Sequence, residues 1–492
     1  MTIRVAEVKA AARGVLIAGT SSDAGKSLVV TGLCRVLARR GVKVAPFKAQ
    51  NMSNNSMVCT DGSEIGRAQY LQAQAAGVEA ESAMNPVLLK PGSDRRSFVV
   101  LRGRPYGTLE AGEYASGRRE LAQAAFAAYE ELVARFDVII SEGAGSPAEI
   151  NLRSGDYVNL GLARRFGIPV VIVGDIDRGG VFAALYGTVG LLDPADRALI
   201  RAFLINKFRG DPGLLQPGLE ELTLRTGVSF AGVLPWLPDL WLDAEDTLEI
   251  GRWRRQAGHA KGTLRVAAIR LPRVSNVTDL DALAAEPGVE VLVTTDPGVV
   301  AGADLAVVPG SRSTVEDLDW LRRKGLAAAL AGRAVQGSPV LGICGGYQML
   351  GRDLDDRVES GRGIVDGLSL LPTRVAFGAD KVLGRPDGSW RGHEVRAYEI
   401  HHGIAELTNE AAEPFLEGCR VDQVWGTMWH GSMENDDFRR AWLAEIAEAS
   451  GSSWRPDPSA PSFAARREAM IDTLADTLEQ YADLELIMDG RR

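Results

Sequence analysis

Short apolar runs ending in Gly, Asp or Asn alternate with helical patterns through the first half of the chain. Gly14–Ala18, Lys43–Phe47, Val138–Ser141, Pro169–Val173 and Ala202–Asn206 are nearly continuous in apolar residues, as expected of parallel strands covered on both faces. Gly25–Arg40 and Tyr157–Phe166 carry helical spacing between them. That alternation predicts a doubly wound α/β domain over residues 1–235. From Trp236 to Gly262 the sequence mixes Pro, Trp and charge without a clean period, which predicts an interdomain connection.

A second alternation begins at Leu264. Leu264–Ile269, Val289–Thr294, Asp304–Val308 and Pro339–Ile343 read as strands of a second α/β domain, 263–449, with a β-rich stretch around His393–Ile400 and Val424–Met428. Ser450–Ser462 is loop by composition, and Phe463–Ala482 reads as an amphipathic helix within a C-terminal segment, 450–492. No internal repeat of fixed period is visible.

Composition narrows the function classes. A chain of 492 residues suits two or three domains, and 46% hydrophobic with 24% charged residues is ordinary for a soluble protein. A net charge of −9 gives no general attraction to nucleic acid or an anionic membrane, so an acidic substrate needs local Lys and Arg clusters. No stretch approaches the roughly 20 apolar residues of a spanning helix, and the N-terminal segment lacks a signal-peptide apolar region. The four cysteines, Cys34, Cys59, Cys344 and Cys419, are scattered, which fits neither a disulfide framework nor a zinc site. A cytoplasmic protein is expected. Its oligomeric state is open, a homo-oligomer included.

Two segments carry chemistry. GVLIAGTSSDAGKS, Gly14–Ser27, is strand, Gly-rich loop and helix start. Backbone N–H groups at a helix N-terminus suit a polyphosphate, Lys26 reaches the terminal phosphates, and Ser27 offers a hydroxyl to Mg²⁺. Gly19, Thr20, Asp23 and Gly25 complete the nucleotide loop, with Thr20 where the usual motif has its first glycine. Glu142 ends the strand Val138–Ser141 at the carboxyl edge of the sheet, where ligands bind. Asp175 and Asp177 sit at the next strand end, and Asn206 and Lys207 lie where an adenine is read.

The other segment is PVLGICGGYQMLG, Pro339–Gly351, in which a strand meets a Gly-flanked turn at Cys344 and a helix follows. This predicts a nucleophile elbow with sulfur in place of oxygen, its thiol near a helix N-terminus. A thiol nucleophile needs a base, and His401, His402 and His430 are all candidates, because base and nucleophile meet only in the fold. A tetrahedral intermediate needs an oxyanion site. VVPGSRST, Val307–Thr314, offers the N–H groups of Gly310 and Ser311, with Gly345 beside the nucleophile and Gln348 one turn on to contact the bound substrate.

The shifted glycine of the first loop resembles the dethiobiotin synthetase-like branch of P-loop enzymes, which implies that Glu142 joins Ser27 in the metal site. The G-x-C-x-G-x-Q elbow and the later WGTMWH resemble class I glutamine amidotransferases, which implies His430 as the base. There the sequence departs from the class: the usual Glu two residues beyond the His is Ser432. Either a dyad suffices, or Glu434 or a backbone carbonyl orients the imidazole. The segments GTSSDAGKS, FKAQNMSNNS, GDIDRGGVFA, INKFRGD, PGSRST, GICGGYQMLG, YEIHHG and WHGSMEN together resemble the cobyric acid synthase family over nearly the whole chain.

That resemblance implies an ATP-dependent, glutamine-hydrolysing ligase. It would amidate the b, d, e and g carboxylates of adenosylcobyrinic acid a,c-diamide to give adenosylcobyric acid. The substrate side is then expected at Gln50, Asn51, Asn54 and Asn55, with Lys90, Arg95 and Arg96 as a cationic face. Two other readings are weighed: an amidotransferase for another acid, in a,c-diamide synthesis or on a cell-wall precursor, and a P-loop switch protein with an inactive amidotransferase attached.

Overall fold

The computed structural model describes residues 14–92, 96–110, 114–238, 240, 262–408 and 411–488. Most of the expected connection 236–262, with His259, and the expected substrate residue Arg95 lie outside these. Two sheets form the frame, one wholly and one mostly parallel, each where the apolar runs predict. The first is six-stranded, in the order Ser229–Pro235, Ile200–Phe208, Val170–Asp175, Gly14–Gly19, Val138–Glu142 and Val44–Phe47. All its pairings are parallel. Every residue of Gly14–Gly19 and of Val170–Asp175 is buried, because helices cover both faces.

In the second sheet Val289–Thr294, Leu264–Ile269, Leu305–Val308, Val340–Ile343 and Val424–Thr427 run parallel, and an antiparallel edge follows in Gly418–Val421 and Glu413–Phe415. Of the β-rich stretch, His393–Arg396 pairs with Asp387–Trp390 in a two-stranded ladder and Val424–Thr427 belongs to the main sheet, while the long antiparallel strands Thr373–Gly384 and Glu399–Leu407 form part of a separate four-stranded sheet.

The apolar pattern does not predict a small mixed sheet made of Gln50–Met52, Val87–Pro91, Arg96–Leu101 and Arg104–Glu110. It lies at the carboxyl side of the first domain and carries the segment expected to meet substrate. The last helix, Phe463–Tyr481, returns to the first domain and packs on Lys26–Arg39, the helix that opens the phosphate loop. Ile471, Ala475 and Leu478 join Val29, Val30 and Leu33 in one buried cluster. Each buried Val, Leu or Ile side chain there contributes about 1.5–3 kcal/mol. The accompanying row of ion pairs, Arg39 to Asp472 at 2.9 Å and Arg40 to Glu479 at 2.8 Å, is largely exposed and adds little to stability.

Candidate active site

At the phosphate end, Gly25 has φ 99°, a left-handed conformation just ahead of the helix Lys26–Arg39. A Cβ there would sit 1.9 Å from Nδ2 of Asn206, so the turn needs glycine on both counts. Lys26 Nζ donates to the Ser21 carbonyl at 2.9 Å and to the Gly145 carbonyl at 3.4 Å, which puts the ammonium inside the loop. Ser27 Oγ donates to Oε1 of the fully buried Glu142 at 2.9 Å. The same carboxylate takes Lys48 Nζ at 2.8 Å and Gln72 Nε2 at 2.6 Å.

A hydroxyl and a carboxylate side by side are hard oxygen donors that fit Mg²⁺, which keeps waters and phosphate oxygens as its other ligands. Among the described residues no cluster of three or more His, Cys, Asp and Glu could hold a metal by itself. Lys48 and Gln72 are not visible as site residues in the sequence, although Lys48 directly follows the strand Val44–Phe47.

Asn206 and Lys207 face inward to the loop. Asn206 Nδ2 donates to the Ala24 carbonyl at 3.1 Å, and Lys207 Nζ donates to the Asp23 carbonyl at 2.7 Å and to Asp175 Oδ2 at 2.8 Å. These bonds brace the phosphate loop. Asp177 takes Arg209 Nε at 3.1 Å at the rim of the site.

At the other end, Cys344 follows the strand Val340–Ile343 with φ 48° and ψ −109°, a strained conformation for a residue with a Cβ. The two following glycines make the turn fit. A Cβ on Gly346 would lie 1.9 Å from the Val308 carbonyl oxygen, and one on Gly345 would lie 2.7 Å from the Ser311 nitrogen. The Gly345 backbone therefore lies close against the Ser311 nitrogen. Gly310 pairs with Ser275, and Ser311 with Val274, in a two-residue antiparallel ladder. Asp317 braces that ladder, accepting from Ser311 Oγ at 2.7 Å and from Arg273 N at 3.2 Å. Gln348 lies beneath, its Oε1 taking Thr314 Oγ1 at 3.2 Å.

His430 is fully buried, and its Nδ1 lies 2.6 Å from Oδ2 of Asp279. Oδ1 of the same carboxylate accepts the Gly431 N–H at 2.7 Å. The ring stacks on Tyr398, with centroids 5.3 Å apart and planes at 25°. Backbone bonds in both directions, at 3.0 and 2.9 Å, tie Tyr398 to His430. Nε2, the nitrogen left over, is buried without a hydrogen-bond partner among the described residues. Burial presses the imidazolium pKa down. The Asp279 carboxylate and the Cys344 sulfur outweigh that and push it up to about 10.

Glu434, the sequence candidate for orienting His430, does something else. It pairs with Arg67 at 2.7 Å and with Arg467 at 3.0 Å, and neither touches the imidazole nor caps a helix. The orienting carboxylate is Asp279, on the short turn Val277–Leu280. His401 Nδ1 contacts the Gly403 carbonyl at 2.9 Å, and His402 Nδ1 contacts that of Gly378 at 3.1 Å, so both are held by the four-stranded sheet.

The residues of the expected cationic substrate face are engaged within the chain. Lys90 is buried in an ion pair with Glu64, which Lys381 of the second domain shares. Burial lowers the Lys90 pKa to about 8. Arg96 Nη2 donates to the Glu359 carbonyl at 3.1 Å. The amide segment is likewise engaged. Gln50 accepts from Tyr157, Asn51 Nδ2 donates to Gln69 at 3.0 Å, Asn54 Nδ2 contacts the Pro91 carbonyl at 3.5 Å, and Asn55 Oδ1 accepts the Val277 N–H at 3.2 Å.

Comparison with known proteins agrees with both halves. Residues 15–249 match the CobQ/CobB/MinD/ParA nucleotide binding domain, and residues 265–438 match the CobB/CobQ-like glutamine amidotransferase domain. Fold and site thus define a class, a P-loop nucleotide-binding domain joined to a glutamine amidotransferase domain.

Within that class the chain is 63% identical over 479 residues to a cobyric acid synthase of Cutibacterium acnes, covering 96% of this chain and 99% of that one. A cobyric acid synthase of Mycolicibacterium gilvum is 56% identical, with 97% and 96% covered, and one of Streptomyces avermitilis is 55% identical, with 96% and 95% covered. The chain belongs to the cobyric acid synthase family. No helix among the described residues is long and apolar enough to cross a membrane.

Proposed function

We propose that this protein amidates carboxylates of a corrinoid acid with ammonia drawn from glutamine and energy drawn from ATP. The acceptor is adenosylcobyrinic acid a,c-diamide, and the positions amidated are b, d, e and g. The observation that carries this reading is the likeness to cobyric acid synthases across 96% of the chain, spanning both centres.

The chemistry divides between the two ends. At the elbow, the proton of Cys344 rests on His430 Nε2, whose raised pKa favours the imidazolium, and the Sγ thiolate attacks the side-chain carboxamide carbon of glutamine. Asp279 holds the ring through Nδ1 and keeps Nε2 turned to the thiol side. The oxyanion that forms is met by the N–H groups of Gly345 and Ser311. His430 returns the proton to the departing nitrogen, ammonia leaves, and water cleaves the thioester to glutamate.

At the phosphate loop, an acceptor carboxylate oxygen takes the γ-phosphoryl group of ATP, giving an acyl phosphate and ADP. Ammonia attacks the acyl carbon, and inorganic phosphate departs. Lys26 and the loop N–H groups hold the transferring phosphoryl group in place. Ser27 and Glu142 would hold Mg²⁺, which supplies charge neutralisation when bound.

Mass spectrometry of a corrinoid a,c-diamide incubated with enzyme, glutamine and MgATP tests the reading. Four carboxyl-to-carboxamide conversions are expected. An enzyme that ignored this acceptor but amidated cobyrinic acid at a and c, or a cell-wall precursor, would replace it. A protein releasing no stoichiometric ADP, phosphate and glutamate would be the switch instead.

A further inference from the structure

Asp279, Gly310 and Tyr398 enclose the imidazole of His430. The Asp279 carboxylate holds Nδ1 at 2.6 Å from the short turn Val277–Leu280. The ladder that carries Gly310 and Ser311 closes on the ring edge, since a Cβ on Gly310 would lie 3.0 Å from Cε1 of the histidine. Tyr398 covers a face of the ring, 5.3 Å away between centroids and inclined at 25°. The histidine is fully buried, so a second proton on it makes a cation out of reach of water.

Tyr398 is fixed in this place from several directions. Its backbone exchanges two hydrogen bonds with that of His430, at 3.0 and 2.9 Å. Its ring packs with Ile400 and with Val58, which comes from the nucleotide-binding domain. Gly431 follows the histidine at φ 72°, and a Cβ there would come within 3.1 Å of Tyr398 Cε1. The His-Gly pair of the sequence therefore leaves room for the tyrosine to lie on the imidazole. The phenol hydroxyl faces Thr278 without closing a hydrogen bond of ordinary geometry. Burial, and then the Asp279 carboxylate, keep that phenol neutral. What Tyr398 offers His430 is the negative face of its π-system, inside the roughly 6 Å over which such a face attracts a cation.

We propose that Tyr398 is a positioning residue for glutamine hydrolysis, whose ring face stabilises the imidazolium of His430 and fixes its plane, and so sustains the thiolate of Cys344. The charges on either side of that balance are few. Burial opposes the imidazolium; the Asp279 carboxylate from the turn and the Cys344 sulfur from the elbow favour it, and the tyrosine face adds to their side. Arg67 and Glu434 act on the phenol rather than on the imidazole. The proposal rests on the assignment of Cys344 and His430 to glutamine hydrolysis.

The test changes the charge of the ring face with little change in its shape. Tyr398→Phe is the reference, and phenylalanines carrying one, two and three fluorines are incorporated at the same position of the full chain. Each fluorine withdraws electron density from the face. Glutaminase kcat/KM is followed against pH, where the alkaline limb reports loss of the His430 proton that the departing nitrogen needs. A weaker face releases that proton at lower pH. The limb should therefore move down in steps, by about one pH unit from the unfluorinated to the trifluorinated ring. Tyr398→Leu should move it at least as far and lower kcat by on the order of tenfold.

Synthesis from ammonia, which bypasses the thiol, shows whether each variant is folded. The fluorinated series decides the matter even where Tyr398→Leu fails to fold. The proposal is overturned if the limb stays in place across that series, as it would for a ring that merely fills space, or if fluorination moves it upward. Failure of the underlying assignment is separately visible, as glutamine-dependent synthesis surviving in Cys344→Ala.

Discussion

The phosphate loop and the glutaminase centre are built in opposite ways. The first is mostly one contiguous stretch, Gly14 to Ser27, completed by Glu142 from the neighbouring parallel strand. The second gathers Cys344, His430 and Ser311 from three strand ends, and takes its orienting carboxylate from a turn 151 residues before the histidine. A phosphate binds to backbone N–H groups that one turn can present. Moving a proton between sulfur and nitrogen needs side chains fixed from several directions, so that centre depends on tertiary structure, including contacts from the other domain.

The sharpest break between the two regions should come from Cys344→Ala. Glutamine-dependent synthesis should fall by on the order of 10⁴-fold or more, while synthesis from high ammonia persists, because only ammonia release uses the thiol. Parallel assays with the two nitrogen sources check this. Lys26→Ala should act on the opposite region, lowering synthesis from either source by on the order of 10³-fold, as expected for a lost phosphate clamp. A Lys26→Ala enzyme that still used ammonia at the normal rate would show the loop to be uninvolved in activation.

Asp279→Asn should come next, with glutaminase kcat reduced by on the order of 10²–10³-fold, because Asn favours the wrong imidazole tautomer. The same pair carries a pH signature in stability. The His430 pKa is raised to about 10, so its stabilising contribution is fully present below the ordinary imidazole value and is lost as pH rises through about 10. Denaturant unfolding should therefore show wild type exceeding Asp279→Asn most at mildly acidic pH, with the gap closing towards pH 10. A constant gap across that range would mean the carboxylate does not hold the imidazolium.

The contrast between the regions also explains what the sequence discloses. The strands Leu264–Ile269 and Val289–Thr294 have the bounds that their apolar runs predict, the first nearly all buried and the second half-buried at the sheet edge. The small sheet does not, because Gln50–Met52 is a polar run whose first two residues are buried by hydrogen bonding rather than by apolar packing. Lys90 misleads for a related reason. Beside Arg95, Arg96, Arg102 and Arg104 it looks like part of a solvated basic face, but its neutralising Glu64 is 26 positions away and shared with Lys381 of the second domain. Asp279 is hidden in the same manner. Nothing in the local sequence around it signals a catalytic carboxylate, whereas Glu434 stands close to His430 in the chain and draws attention for that reason alone.

Glu434→Gln should be the smallest effect on chemistry, and it separates closeness in sequence from closeness in space. Glu434 is about one-quarter exposed, with side-chain exposure of 23%, while its partner Arg67 is buried at 3%. Arg467 shares the carboxylate at 3.0 Å and belongs to the returning C-terminal helix. Neutralising Glu434 removes one negative charge beside those two guanidinium groups, and Arg67 is nearly out of reach of water. The cost falls on the seam between the domains and the last helix, on the order of 1–3 kcal/mol given the partial solvent screening. The imidazole of His430 keeps Asp279, its stacking on Tyr398 and both backbone bonds, so glutaminase kcat should change by less than about threefold. Thermal unfolding and glutaminase kinetics on the same preparation check the two halves of the prediction. A loss of kcat comparable to that of Asp279→Asn, with unfolding unchanged, would return Glu434 to the triad and remove Asp279 from it.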